Sequence, residues 1–93
     1  MEKLVMIREQ LPLQERNYTD RNGQPQVFAS VGFVLTDGTD TFYAELTGDR
    51  ARACQTLDKT TFHSVQCEMG CREFTDRDGI VRHSTEIRIL KIV

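Results

Sequence analysis

Apolar and polar residues alternate over two neighbouring stretches of the chain, 27–36 and 40–47. Successive side chains of a β-strand point to opposite faces, so this alternation predicts two strands, each with one buried and one open face. The aromatic residues Phe28 and Tyr43 fall on the open face. The predicted core residues of the two strands are Val27, Ala29, Val31, Phe33, Leu35, Phe42, Ala44 and Leu46.

Three further strands and one helix are predicted around this pair. The first strand covers residues 3–18, with a bend or bulge at Pro12, because proline has no N–H to donate to a neighbouring strand. Good helix formers, with apolar residues spaced three apart, predict a helix over 49–57. Alternation resumes over 61–74, and the segment 80–93 is rich in β-branched residues. The predicted order is therefore β-β-β-α-β-β.

One eight-residue motif occurs twice, as 16–23 (RNYTDRNG) and as 72–79 (REFTDRDG). Each copy ends in Asn-Gly or Asp-Gly, which are favoured in the two-residue type I′ turn between paired strands. We therefore predict two β-hairpins with similar charged tips. We call them finger 1, around Gly23, and finger 2, around Gly79.

Length and composition are those of a small globular protein with a single domain, residues 1–93. The longest apolar stretches fall far short of the roughly 20 residues that cross a bilayer, and the start of the chain lacks the features of a signal peptide. We therefore expect a cytoplasmic protein that does not associate with membranes. The formal net charge of −2 argues against a basic protein that holds nucleic acid by bulk attraction.

The three cysteines are expected to be thiols that fill small core positions, because an odd number cannot all pair within one chain and a reducing compartment keeps them reduced. His63, Cys67 and Cys71 recur every four residues, which raises the alternative of a metal site. On a strand, however, such neighbours lie about 13 Å apart, too far to share one zinc ion. The sequence therefore predicts no metal site.

Catalytic chemistry is not expected either. His83 and Ser84 are residue types found in hydrolases, but as neighbours on a strand they project to opposite faces, so the imidazole cannot activate the hydroxyl. The chain has no Gly-rich phosphate-binding loop. We expect a non-enzymatic protein without a cofactor.

The element order points to a particular architecture. Five strands with a helix between the third and the fourth are the arrangement of the OB-fold, a partly open Greek-key barrel. OB-folds bind along the face of strands two and three and through the loops between strands one and two and strands four and five. In this chain those two loops are finger 1 and finger 2. The predicted fold class is all-β with one short helix, as a five-stranded OB-fold barrel.

Roughly the second half of the chain resembles the corresponding part of bacterial single-stranded DNA-binding proteins. The motifs that carry the resemblance are a strand ending at 46–48 (LTG), a short alanine-containing helix, the turn motif 74–79 (FTDRDG), and a last strand with Arg82 and 85–87 (TEI). The resemblance implies an OB-fold that binds single-stranded DNA, with a role in DNA replication.

The chain also departs from that family. It has no Trp, on which the family commonly stacks bases, and His83 stands where the family has an aromatic residue. The last predicted strand ends at Val93, so we expect a protein without the Gly- and Pro-rich linker and acidic tail that recruit partners in that family. It is more similar to short, tailless relatives, such as the primosomal replication accessory proteins or the related proteins of mobile elements.

These observations predict binding of single-stranded DNA or RNA by stacking on aromatic rings and by arginine contacts to phosphate. The alternatives for each side chain are cross-strand packing for an aromatic ring and an ion pair for an arginine. A protein-interaction module that uses the same surface is the alternative function. We also expect a homo-oligomer, a dimer or a tetramer, formed at an exposed edge such as the first strand. The predicted nucleic-acid-binding residues are Arg16, Tyr18, Arg21, Phe28, Tyr43, Arg72, Phe74, Arg77 and Arg82.

Overall fold

The computed structural model describes all 93 residues, which form six β-strands and one short helix with turns and loops between them. The prediction of an all-β protein with one helix is confirmed, and the first predicted strand is divided on either side of Pro12 into two strands. The elements are β1 (Glu2–Gln10), β2 (Gln14–Thr19), β3 (Pro25–Thr36), β4 (Thr41–Thr47), α1 (Asp49–Ala53), β5 (Phe62–Thr75) and β6 (Val81–Ile92).

The strands form one sheet in the order β1-β5-β6-β4-β3-β2, and β1 also pairs with β3. The pairings therefore run from β1 through β5, β6, β4 and β3 back to β1, which makes a closed cycle. All of them are antiparallel except that of β4 with β6, which are parallel at Glu45 and Arg88. β2 lies outside the cycle and pairs with β3 alone.

Twelve buried hydrophobic residues form the core, eleven from one face of this sheet and Ala51 from α1. The predicted alternation is confirmed for the stretch from Ala29 to Leu35 and for Ala44 and Leu46, while Phe42 is partly buried against the cluster. Val27 was also predicted to be in the core, but it is 44% exposed because it lies in finger 1, beyond the reach of the packed strands. Phe33 is the largest side chain with no exposed surface.

The helix α1 is shorter than the predicted 49–57. It ends at Ala53, and Cys54 already has extended backbone angles. Beyond that point the side chain of Gln10 binds the chain: its Nε2 donates to the carbonyl of Gln55 at 3.1 Å, and its Oε1 accepts from the N–H of Leu57 at 2.9 Å. These backbone groups thus have tertiary partners instead of helical ones. With only five residues in α1, the chain has no helix with the length and apolar character needed to cross a membrane.

The two predicted hairpins are present and project beyond the core. Finger 1 consists of β2 and the start of β3, and finger 2 of the end of β5 and the start of β6. The predicted burial of alternate residues along 61–74 holds through Cys67 and is wrong beyond it, because Met69 is 57% exposed and Cys71 is exposed too. From that point every residue of β5 is exposed. Of the three thiols, Cys67 is buried and Cys54 half-buried.

Both finger tips use one hydrogen-bonding pattern, which differs from the predicted type I′ turn. No residue other than glycine has a positive φ, so Asn22 cannot adopt the left-handed conformation that type I′ requires. The N–H of Gly23 bonds to the carbonyl of Asp20 at 3.1 Å, and the Asp20 N–H to the carbonyl of Gln24 at 3.0 Å. This is a type I turn followed by a glycine at φ 77°, the usual three-residue hairpin loop. Finger 2 repeats the pattern between Asp76 and Ile80.

An aspartate carboxylate stabilises each tip from within. Asp20 Oδ1 accepts from the N–H groups of Asn22 and Gln24, both at 2.9 Å, and these bonds lower the pKa of Asp20. Asp76 repeats the arrangement, and its pKa is lowered first by the hydrogen bond from Arg82 and then by backbone N–H groups. Aspartate at the first position of a type I turn supplies the acceptor that a following backbone N–H needs.

We expect the fingers to weaken in acid. A carboxylate whose pKa is lowered in the folded state contributes stability above its unfolded value of about 4, and that contribution is lost as pH falls through the folded value. The double variant Asp20→Asn/Asp76→Asn keeps the Oδ1 acceptors but not the charge, so its unfolding midpoint in urea should change less between pH 5 and pH 2.5. Asp40→Asn is the matched control, because the Asp40 carboxylate makes no hydrogen bond. A double variant as acid-sensitive as the unsubstituted protein would contradict this account.

The predicted first strand, 3–18, forms β1 and β2, and a subunit contact through its exposed edge stays a prediction. β1 pairs with β5 over Glu2–Met6 and with β3 over Met6–Gln10, so each half of it is occupied on one side. The strand with an unpaired side along its whole length is β2. Its six residues are all exposed.

Candidate nucleic-acid interface

The two fingers and β4 share one sheet face, opposite to the core. Directly paired residues point to the same side of a sheet, so the pairings trace this face from strand to strand. In finger 1, Arg16 lies opposite Phe28. Glu45 of β4 lies opposite Arg88 of β6, and from there the same face continues into finger 2, where Arg72 lies opposite its partner on β6. We call this surface the outer face.

A groove of about 720 Å³ lies on the outer face between the two fingers. Four of the nine predicted binding residues line it, from four different strands. Arg16 and Phe28 come from finger 1, Tyr43 from β4, and Arg72 from finger 2. The remaining lining residues are Ser30, Glu45, Thr47, Ser84, Thr85, Glu86, Ile87 and Arg88.

The other five predicted residues lie outside the groove. Tyr18 and Phe74 are on the outer face, but farther along the fingers, opposite Gln26 and Arg82 respectively. Arg21 and Arg77 occupy equivalent positions in the two tips. The structure therefore brings a central group of predicted residues together and places the rest along the two projecting arms.

All four predicted stacking rings are substantially exposed, with 50% for Tyr18, 43% for Phe28, 48% for Tyr43 and 40% for Phe74. A ring that is half covered on one side and open on the other can accept a flat ligand. Phe33, by contrast, is fully buried, in agreement with its predicted packing role. Partial burial raises the pKa of the Tyr43 hydroxyl, and the carboxylate of Glu45 raises it further, while the nearby Arg16 lowers it.

The five predicted arginines divide into two groups. Arg72 lies 3.6 Å from Glu86, and Arg82 lies 2.5 Å from Asp76, so the ion-pair alternative applies to these two. No carboxylate lies within 4.0 Å of the remaining three, which are Arg16, Arg21 and Arg77. These three guanidinium groups are the predicted cations available to an anion without displacing a carboxylate.

Two arginines on or next to this surface are not among the predicted binding residues. Arg88 lines the groove and pairs with Glu68, twenty positions away along the chain. Arg52 of α1 braces finger 1, because its Nη2 donates to the carbonyl of Val27 at 3.2 Å and its Nε lies 4.0 Å from Glu15. The alternating pattern of β6 could have placed Arg88 on this face. Nothing in the sequence pattern signals the contact of Arg52.

The histidines and cysteines take no part in this surface. Both ring nitrogens of His63 face backbone carbonyls, with Nε2 at 2.7 Å from Asp58 and Nδ1 at 3.2 Å from Val93, so neither is available to a metal. No cluster of three metal-ligating side chains is present. His83 faces Glu73 across finger 2, at 3.9 Å, and Ser84 points to the opposite side of the ribbon.

No protein-family model matches this chain, and no curated protein is significantly similar to it.

Proposed function

We propose that this protein binds single-stranded nucleic acid, DNA in the first instance, in the groove between its two fingers. The observation that carries the proposal is the meeting of two half-exposed rings, Phe28 and Tyr43, with the unpaired Arg16 in one groove on the outer face. These are the two components that single-strand binding requires: π-faces for successive bases and a cation for the backbone.

We infer that the fold is an OB-fold. With β1 and β2 counted as one strand interrupted at Pro12, five strands remain, and the closed cycle of pairings with one parallel contact between β4 and β6 supports a small barrel. The helix between β4 and β5 and the resemblance of 48–92 to bacterial single-stranded DNA-binding proteins support the same assignment. In an OB-fold the face of strands two and three, here β3 and β4, is the usual binding surface.

In the proposed binding mode, bases stack on Tyr43 and Phe28 and the backbone runs past Arg16. Each stacked base contributes about 1 to 3 kcal/mol. The strand then leaves the groove along the fingers, where Tyr18, Phe74 and the tip arginines extend the surface. Arg72 contributes less to phosphate binding, because its guanidinium already lies beside Glu86.

The salt dependence of affinity tests this proposal. Three arginines without carboxylate partners, each releasing counterions from a single strand, give a slope of log K against log salt of about −2, so affinity should fall about 16-fold between 50 and 200 mM salt. Five phosphate-bound arginines would give a slope of about −3.5. Fluorescence anisotropy with a labelled oligo-dT measures the affinity at each salt concentration, and these affinities give the slope.

Two variants distinguish the arginines without a carboxylate partner from those that are paired with one. Arg16→Ala should make the slope shallower by about 0.7, whereas Arg72→Ala should leave it nearly unchanged. If micromolar protein fails to bind the oligonucleotide at about 50 mM salt, the nucleic-acid proposal is wrong. The net charge of −2 would then favour the alternative, a protein-interaction module of a replication or mobile-element complex, on the same surface.

A further inference from the structure

The ring of Tyr43 lies directly on the backbone of Gly32. Tyr43 is paired with Val34 on β3, and Gly32 is the next residue of β3 on the same face, paired with Glu45. A Cβ atom added at Gly32 would lie 2.3 Å from the Tyr43 Oη and 2.8 Å from Cε2 and Cζ. No side chain other than hydrogen fits under this ring, and the ring in turn buries Gly32.

This contact gives the ring of Tyr43 one covered side and one open side. Its inner side is covered by β3, its hydroxyl end lies near Arg16 and Glu45, and 48% of its surface is open to the groove. A glycine within a strand generally weakens it and commonly marks a close approach of another group. Here the approaching group is the ring of Tyr43, on which a base is proposed to stack.

We propose that Gly32 is a positioning residue: by leaving the strand surface bare beneath Tyr43, it holds the ring flat as the stacking platform for one unpaired base. The inference rests on the proposed function. It adds to the proposed function that Gly32, which has no side chain to contact the ligand, determines the orientation of the Tyr43 ring. A side chain added at Gly32 should therefore weaken binding only because it displaces the Tyr43 ring.

The variant Gly32→Ala tests this assignment. The clash is with the far end of a flexible side chain, so the chain should fold and the ring should rotate away from β3. Loss of its burial should then lower the pKa of the Tyr43 hydroxyl towards the ordinary tyrosine value. Ultraviolet titration in a Tyr18→Phe background reports this group alone, since the chain has two tyrosines. The Kd for oligo-dT should rise about tenfold, within the range for one stacked base.

Gly70→Ala is the matched control. Gly70 is also a strand residue on the outer face, in finger 2, and no atom lies within 4 Å of a Cβ built on it. Neither the Tyr43 pKa nor the Kd should change. A second check uses the double variant Gly32→Ala/Tyr43→Ala, which should bind no more weakly than Tyr43→Ala, because without the ring the added methyl has nothing to displace.

The outcomes are distinguishable. A lowered Tyr43 pKa with unchanged affinity in Gly32→Ala would overturn the positioning role alone, as would an additive loss in the double variant. Failure of the unsubstituted protein to bind oligo-dT would overturn the proposed function and this inference with it. A lowered pKa together with weakened binding, and a double variant equal to Tyr43→Ala, would support the assignment.

Discussion

Phe33→Ala is expected to destabilise the protein by about 3 to 5 kcal/mol, the usual cost of removing a buried phenylalanine. Phe33 has no exposed surface and lies at the centre of β3, where it pairs with Ala44 on one side and Gln10 on the other. A chain of this length has a total stability of about 5 to 14 kcal/mol, so the loss is a large fraction of the whole. Urea unfolding followed by circular dichroism measures the difference in the free energy of unfolding.

Phe62→Ala is the matched control for this variant, because it removes the same side chain from β5, where Phe62 is 65% exposed. Its cost should stay below about 1 kcal/mol, as for most surface substitutions. Equal destabilisation by the two variants would mean that Phe33 does not lie in the packed core.

Phe28→Ala/Tyr43→Ala is expected to weaken oligonucleotide binding by about 2 to 6 kcal/mol, since each ring supplies about 1 to 3 kcal/mol of stacking. At the lower end of that range the Kd rises about 30-fold, which anisotropy resolves easily. The fold should persist, because both rings are nearly half exposed and neither belongs to the buried cluster.

The aromatic control for binding is again Phe62→Ala, which deletes an exposed ring opposite Met6, outside the groove. Its affinity should equal that of the unsubstituted protein. Phe74→Ala should lie between the two, because Phe74 is on the outer face but beyond the groove. Unchanged affinity in Phe28→Ala/Tyr43→Ala would remove the groove from the binding surface.

Much of the fold could be predicted from sequence because β3 and β4 obey a simple period. From Ala29 to Leu35, every second residue is buried, as alternation requires. The helix length could not be predicted, because α1 ends where the side chain of Gln10 captures the backbone of Gln55 and Leu57, a contact across more than forty residues. The turn type was misassigned because Asn-Gly favours type I′, whereas the preceding Asp20 favours the type I turn that is observed.

The site was predictable in outline for a different reason. A repeated motif at two hairpin tips and an alternating pattern were enough to place Phe28 and Tyr43 on the face opposite to the core. The pairing of the arginines was not predictable, since finger 1 and finger 2 each contain both charge signs and only the register decides which guanidinium meets a carboxylate. That is why Arg72 and Arg82 are paired while Arg16 is not.

The shared architecture of the two tips has a practical consequence for engineering. Residues 20–24 and 76–80 close their loops with the same backbone bonds and the same aspartate acceptor, so each loop can be treated as one cassette. The second carboxylate oxygen reaches beyond the loop, to Gln26 from Asp20 and to Arg82 from Asp76, so these two residues belong with their cassettes. Exchanging the cassettes, or grafting one onto another hairpin, should leave the flanking strands in register. The molecule thus offers two independent sites for peptide display on a scaffold of fewer than one hundred residues.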